Sequence, residues 1–128
     1  MRPRTWLDLV AEILFYFSGR IDRRTYWLSV CGIWLALAVI SLVLFFVDSS
    51  ILYTQDQSSL ELIALPWLWP FMAVHVKRLH DRGRSGWWSG LIFVPPFYIG
   101  IFIECAFLPG RVGPNAFGAA PLRVKRPV

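Results

Sequence analysis

A chain of 128 residues that is 56% hydrophobic, with a mean hydropathy of +0.53, leaves room for one small domain and is too apolar for an ordinary soluble one. A net charge of +5 would by itself suit nucleic acid, but the basic residues stand beside long apolar runs. That placement makes anionic lipid the expected counter-charge and argues against nucleic acid as a partner.

From Pro3 to Phe17 the pattern is amphipathic: Arg4, Asp8 and Glu12 share a stripe, and Trp6, Leu7, Leu9, Val10, Ile13, Leu14, Tyr16 and Phe17 fill the rest. This predicts a helix over 3–17, with Pro3 in its first turn and an Arg4–Asp8 pair, lying in the headgroup plane or packed on the bundle. The acids interrupt the apolar stretch, which excludes a secretory signal. Ser18 to Arg24 then breaks the pattern, with Gly19 permitting a turn and Asp22 placed to cap the next helix.

Between Thr25 and Val47 there are 23 residues without a charge, enough to cross a hydrocarbon core that needs about 20. Tyr26-Trp27 leads into this first span, as interfacial aromatics do. Residues 48–59 are polar, without Lys or Arg, and read as an external loop. A second span is expected over 59–79. Its uncharged part, Leu62 to Val76, has only 15 residues, so Lys77 and Arg78 must snorkel. Pro66 and Pro70 share a face there and predict a kink. Lys77 to Gly86 forms a basic turn, and a third span over 87–108 carries Pro95-Pro96 near its middle. The tail, 109–128, holds Gly113-Pro114-Asn115 and four cations. The expected fold is therefore an all-α membrane protein with about three transmembrane helices and an N-terminal interfacial helix. Cys31 and Cys105 fall in apolar stretches at different expected depths, so they read as buried free thiols.

Charge sets the orientation. Arg2, Arg4, Arg20, Arg23 and Arg24, joined after two crossings by Lys77, Arg78, Arg82 and Arg84, place nine cations on one side, against none in the first loop. The positive-inside rule assigns that side to the cytoplasm. The tail's cations then fall outside. A re-entrant hairpin folded at Pro95-Pro96, or an external N-terminus, would remove that conflict; the full span is the preferred reading.

Chemistry-bearing residues are few. His80 and Asp81 are adjacent, hence about 100° apart on a helix, and make a poor dyad; Asp81 is better explained as the ion-pair partner of Lys77, Arg20, Arg23 or Arg24. His75 and His80 miss the i,i+4 spacing of helical metal pairs. No catalytic residue, metal or cofactor is expected. The better candidate is an anion site at the basic turn: Lys77, Arg78, Arg82 and Arg84, with Gly83, Ser85 and Gly86 opening a helix N-terminus, next to Arg20, Arg23 and Arg24. Glu104, an acid inside the third apolar run, is expected near the external end. Gly86 and Gly90 have the spacing of a helix-dimer face, a weak signal.

Three blocks stand out: Ser18-Gly19-Arg20-Ile21-Asp22-Arg23-Arg24-Thr25-Tyr26-Trp27, then Lys77-Arg78-Leu79-His80-Asp81-Arg82-Gly83-Arg84-Ser85-Gly86-Trp87-Trp88, then Leu108-Pro109-Gly110 with Gly113-Pro114-Asn115 and Phe117-Gly118. In this order they resemble the bacterial inner-membrane family catalogued as domain of unknown function 805. The resemblance implies a multi-pass protein of the bacterial cytoplasmic (inner) membrane. It supplies no catalytic residues, and points to the Gly-Arg, His-Asp and Gly-Pro-Asn blocks, hence His80, Asp81 and Asn115. The expected role is binding of anionic lipid headgroups, or of a membrane protein partner or second copy, through the basic cytoplasmic face. The alternatives are a subunit of an oligomeric transporter or channel, with Pro66, Pro70, His75 and Glu104 along a pathway, and, more distantly, a lipid-modifying enzyme using His80 and Asp81.

Overall fold

A computed structural model describes residues 5–47 and 57–121. Pro3, Arg4, most of the polar loop and the last seven residues lie outside the described residues. Within them the chain is all-helical, with one isolated bridge between Asn115 and Gly118.

Helix α1, Trp6–Phe15, starts at Thr5. The Thr5 hydroxyl accepts from the Asp8 N–H (3.2 Å) and the Asp8 carboxylate accepts from the Thr5 N–H (2.8 Å). This reciprocal box satisfies two otherwise unpaired donors, and Thr-x-x-Asp is its sequence signature. The start of α1 leaves Trp6 and Leu7 exposed, whereas Ile13 and Leu14 pack on the core. Phe15 carbonyl accepts from Trp69 Nε1 (3.1 Å), and the Phe17 ring meets Trp69 edge-on, so the end of α1 is held to the helix that carries Trp69.

Helix α2, Arg23–Val47, begins as Asp22 predicts: the Asp22 carboxylate accepts from the Thr25 N–H at 2.9 Å. Among the described helices it alone is both long and apolar enough to cross a bilayer. It meets the core through Tyr26, Val30 and Ile33 in its first half, with Leu37 packed against that core. Leu35, Val39, Leu42, Val43 and Phe46 are exposed, a contiguous apolar surface that water would penalise and hydrocarbon would not. Cys31 lies on this exposed side, so only Cys105 is the buried thiol that the sequence suggests for both; both are free.

Helix α3, Gln57–Asp81, runs through Pro66 and Pro70. It stops at Gly83, whose φ of +74° suits glycine. Gly83 N–H donates to His80 carbonyl and Arg84 N–H to Leu79 carbonyl, both at 2.9 Å, the paired bonds of a Schellman ending.

The third apolar segment departs from expectation. It is not one helix over 87–108 but a 3₁₀ helix, Gly86–Phe93, and helix α4, Pro95–Ala106, parted at an extended Val94 (φ −105°, ψ 109°). Pro95 explains the break. Its ring drives the preceding residue out of helical space and its nitrogen carries no hydrogen, while both prolines suit a helix's first turn. At about 2.0 Å per residue the 3₁₀ arm is ~16 Å long, and α4 is ~18 Å at 1.5 Å per residue, each well short of a ~30 Å hydrocarbon core. The arms form a hairpin whose two ends return to one place. Gly86 lies against α3, where an added Cβ would meet Val76 at 2.8 Å, and Ala106 carbonyl accepts from Trp27 Nε1 at 3.1 Å. The core, built on Ile21, Tyr26, Val30, Ile33, Val74, Leu79, Ile101, Cys105 and Ala106, sits where α2, α3 and α4 converge.

Candidate functional site

The three sequence blocks meet at the basic end of the bundle, around Asp81. One Asp81 oxygen accepts from Arg20 Nε (3.1 Å) and Nη2 (3.0 Å), and the other from Arg78. Side chains of Arg20, Arg78 and Asp81 are at most 5% exposed. Of the partners expected for Asp81, Arg20 is the one found; Lys77, Arg23 and Arg24 are elsewhere. A charged trio removed from water holds only if its remaining donors and acceptors are filled. Here they are filled by main chain. Arg20 donates to the carbonyls of Gly113 (2.7 Å), Arg111 (2.8 Å) and Gly118 (3.3 Å), and Asp81's own carbonyl accepts from Arg111 N–H (2.9 Å).

Arg78 performs a second task. The last carbonyls of a helix have no intrahelical donor and carry its negative end. Arg78 Nε donates to Cys105 carbonyl (2.8 Å) and Nη2 to Leu108 carbonyl (2.5 Å). Arg23 donates to Phe107 carbonyl (3.0 Å). Together with Trp27 on Ala106, α2 and α3 thus cap the end of α4. Gly110 closes the arrangement: a Cβ there would lie 1.8 Å from an Asp81 oxygen, so only glycine lets the chain pass. Charge and hydropathy do not single out Gly110 or Arg111 and mark Trp27 only as an interfacial aromatic; the Leu-Pro-Gly block points to Gly110, and the Gly-Arg block ends on Trp27.

Glu104 sits at this basic end rather than the external one. It accepts from Arg84 Nε (2.5 Å) and faces Arg82 Nε (3.5 Å), clasping the arms of the hairpin. Arg82 also donates to Pro109 carbonyl, and the Arg84 guanidinium stands 4.9 Å from the Trp88 ring centre. Asn115 Nδ2 donates to His80 carbonyl (2.8 Å), while its own oxygen accepts from Phe117 N–H (2.9 Å). The His80 ring stacks on Phe117 at 4.0 Å and donates through Nδ1 to Gly19 carbonyl (3.3 Å). His80 and Asp81 therefore hold different loops. His75 is also committed. Its Nδ1 can only donate to Phe71 carbonyl (2.8 Å), which leaves Nε2 to accept from Tyr26 hydroxyl (3.0 Å).

The ten residues singled out for anion binding divide accordingly. Gly83 serves as the helix stop, Gly86 as a packing contact, and Ser85 precedes the 3₁₀ helix without a side-chain cap bond. Gly90, the other half of the small-residue pair, has open space around it. Lys77 reaches across to the carbonyls of Glu12 and Ile13 in α1. Arg20, Arg78, Arg82 and Arg84 are spent on Asp81, Glu104 and carbonyls. Arg23 has one bond, and Arg24 has no hydrogen bond or ion pair among the described residues. Those two border an open groove of about 630 Å³ whose other walls are Trp27, Leu28, Ala106 and Phe107.

A family match covers all three of these blocks. Residues 14–119 match the family described as "Protein of unknown function (DUF805)". The chain belongs to this family. Three proteins of Escherichia coli K12 are similar to it. Inner membrane protein YhaI is 34% identical over 118 residues, 91% of this chain and 94% of YhaI. Inner membrane protein YhaH is 33% identical over 123 residues, 94% of this chain and 81% of YhaH. Uncharacterized protein YiiR is 45% identical over 85 residues, 66% of this chain, and the match spans about half of YiiR's length (54%). No solved structure matches the chain. With these relatives and the apolar α2, the chain is a protein of the bacterial inner membrane.

Proposed function

We propose that the chain crosses the membrane twice, through α2 and residues 59–79, dips its C-terminal hairpin into the cytoplasmic leaflet, and uses the basic end to engage anionic lipid. The observation that carries this reading is the return of the hairpin. Because the carbonyls of Cys105, Ala106, Phe107 and Leu108 accept from Arg78, Trp27 and Arg23, the residues that follow lie beside Arg20 and Arg82. All eight described basic residues, Arg111 included, then gather at one end. The conflict that a third crossing creates disappears, and the positive-inside rule assigns that end to the cytoplasm. Each Lys or Arg near an anionic leaflet contributes about 1 kcal/mol, which supports lipid as the counter-charge. Exposed Trp87 and the Trp6–Leu7 end of α1 suit the headgroup layer of the same leaflet.

Two measurements test it. Val112 is 92% exposed on the returning loop. In a Cys31→Ala background, Val112→Cys is expected to resist an impermeant maleimide on intact cells and to react once the inner membrane is opened; labelling from outside refutes the topology. Lipids that co-purify in mild detergent are expected to be enriched in phosphatidylglycerol over phosphatidylethanolamine relative to the source membrane. Absence of enrichment refutes the lipid reading.

A further inference from the structure

We infer that the groove between the start of α2 and the end of α4 seats one anionic phospholipid, its phosphate on Arg23 and Arg24 and the upper part of an acyl chain on Trp27, Leu28 and Phe107. This rests on the reading that the basic end faces the cytoplasmic leaflet, and it names the site within that end.

The argument begins with what the other cations are doing. Arg20, Arg78, Arg82, Arg84 and Lys77 already hold carboxylates or carbonyls. Arg24 has no such partner among the described residues, and Arg23 donates from a single Nη1, leaving most of its five N–H groups unengaged. No acid lines the groove. Asp22, the neighbouring carboxylate, is occupied by the Thr25 N–H. Two arginines with free donors on the wall of one groove match a phosphate in charge and in hydrogen-bonding chemistry.

The floor supplies the second half of the ligand's description. Trp27 is fixed by its Nε1 bond to Ala106 carbonyl, and its ring meets Phe102 and Phe107 edge-on at 6.2 and 6.1 Å. A rigid apolar wall directly below two cations is what a phosphate continuing into hydrocarbon requires. Free phosphate would need only the upper half. Leu28, 75% exposed, lies on the rim facing the bare side of α2, so the groove opens toward the bilayer. Its volume of about 630 Å³ falls within the ~300–1,000 Å³ range of small-molecule sites.

Native mass spectrometry of the full chain in mild detergent, titrated with phosphatidylglycerol or chain-matched phosphatidylcholine, tests the site. The expected result is one retained phosphatidylglycerol, favoured over phosphatidylcholine. Arg24→Gln, which breaks no hydrogen bond or ion pair among the described residues, should lower that retention about fivefold, and Arg23→Gln with Arg24→Gln about 30-fold. Leu28→Trp, which fills the rim and leaves every charge in place, should lower it at least about fivefold. Arg111→Gln, a cation at the same end but outside the groove, should change it less than about twofold. Inorganic phosphate at equal concentration should not displace the lipid. Unchanged retention in Arg24→Gln, an equal loss in Arg111→Gln, or displacement by phosphate overturns the seat. An equal loss in all arginine variants removes the site while leaving general attraction to anionic lipid standing. No preference in the unaltered protein removes both.

Discussion

Asp81→Asn is the sharpest probe of how the blocks are held together. The substitution keeps the side chain's shape and one acceptor for Arg20, but turns an amide donor toward Arg20 or Arg78 and leaves two buried guanidinium groups without a counter-charge. Removing one partner of a buried ion pair costs about 3–5 kcal/mol. The two side chains that lose their partner are both essentially buried, so solvent screening offers little relief. At 1.36 kcal/mol per tenfold, the population with the hairpin detached should rise by about 10²-fold or more. Cys105 reports that opening. It is fully buried, and its carbonyl accepts from Arg78. In a Cys31→Ala background, maleimide labelling of Cys105 in detergent should be slow in the parent and at least about a hundredfold faster with Asp81→Asn. If labelling changes by less than about twofold while the variant stays folded, Asp81 is not the keystone argued above.

Other substitutions separate the parts of the site. Gly110→Ala would force a Cβ into Asp81, so the loop must move; a loss of about 1–3 kcal/mol is expected, read as a lower Tm by circular dichroism in detergent. Glu104→Gln frees Arg84 and Arg82 at a partly exposed position and should cost about 1 kcal/mol, with the difference from the parent shrinking as salt is raised. Tyr26→Phe leaves buried His75 Nε2 without its donor and should lower stability by about 1–3 kcal/mol in the same melt, with Cys105 still protected.

Much of this organisation was legible in the residues themselves. The length of the α2 run, the Asp22 cap and the turn at Gly19 follow from local chemistry, whereas sequence leaves Asp81 four possible partners and only the fold selects Arg20. Hydropathy alone predicts one continuous third helix because it counts apolar residues and ignores which of them lack an N–H, and the break at Val94 follows the Pro95-Pro96 alternative instead. Two signals opposed the full span. Pro95-Pro96 forces the residue before it out of helical geometry. An unpaired Glu104 and the tail's cations would both have been stranded at the far side of the membrane. Sequence also overstated the anion site. A glycine beside arginines looks like a phosphate cradle until the backbone is traced, and Gly83's N–H proves to end a helix instead. Charge alone does not tell which arginine is consumed inside the fold, and that distinction left Arg23 and Arg24 as the pair at the groove.

The way α4 ends has a consequence for how the chain is made. Among the described residues, the carbonyls of Cys105 to Leu108 find their donors on α2 and α3, so this stretch of polypeptide is not satisfied in lipid by its own backbone alone. The hairpin must therefore dock after the two earlier helices are in place. A chain cut before residue 95 should keep the Arg78–Asp81 pair but leave Arg78 Nε and Nη2, and Arg23, without the carbonyls they hold.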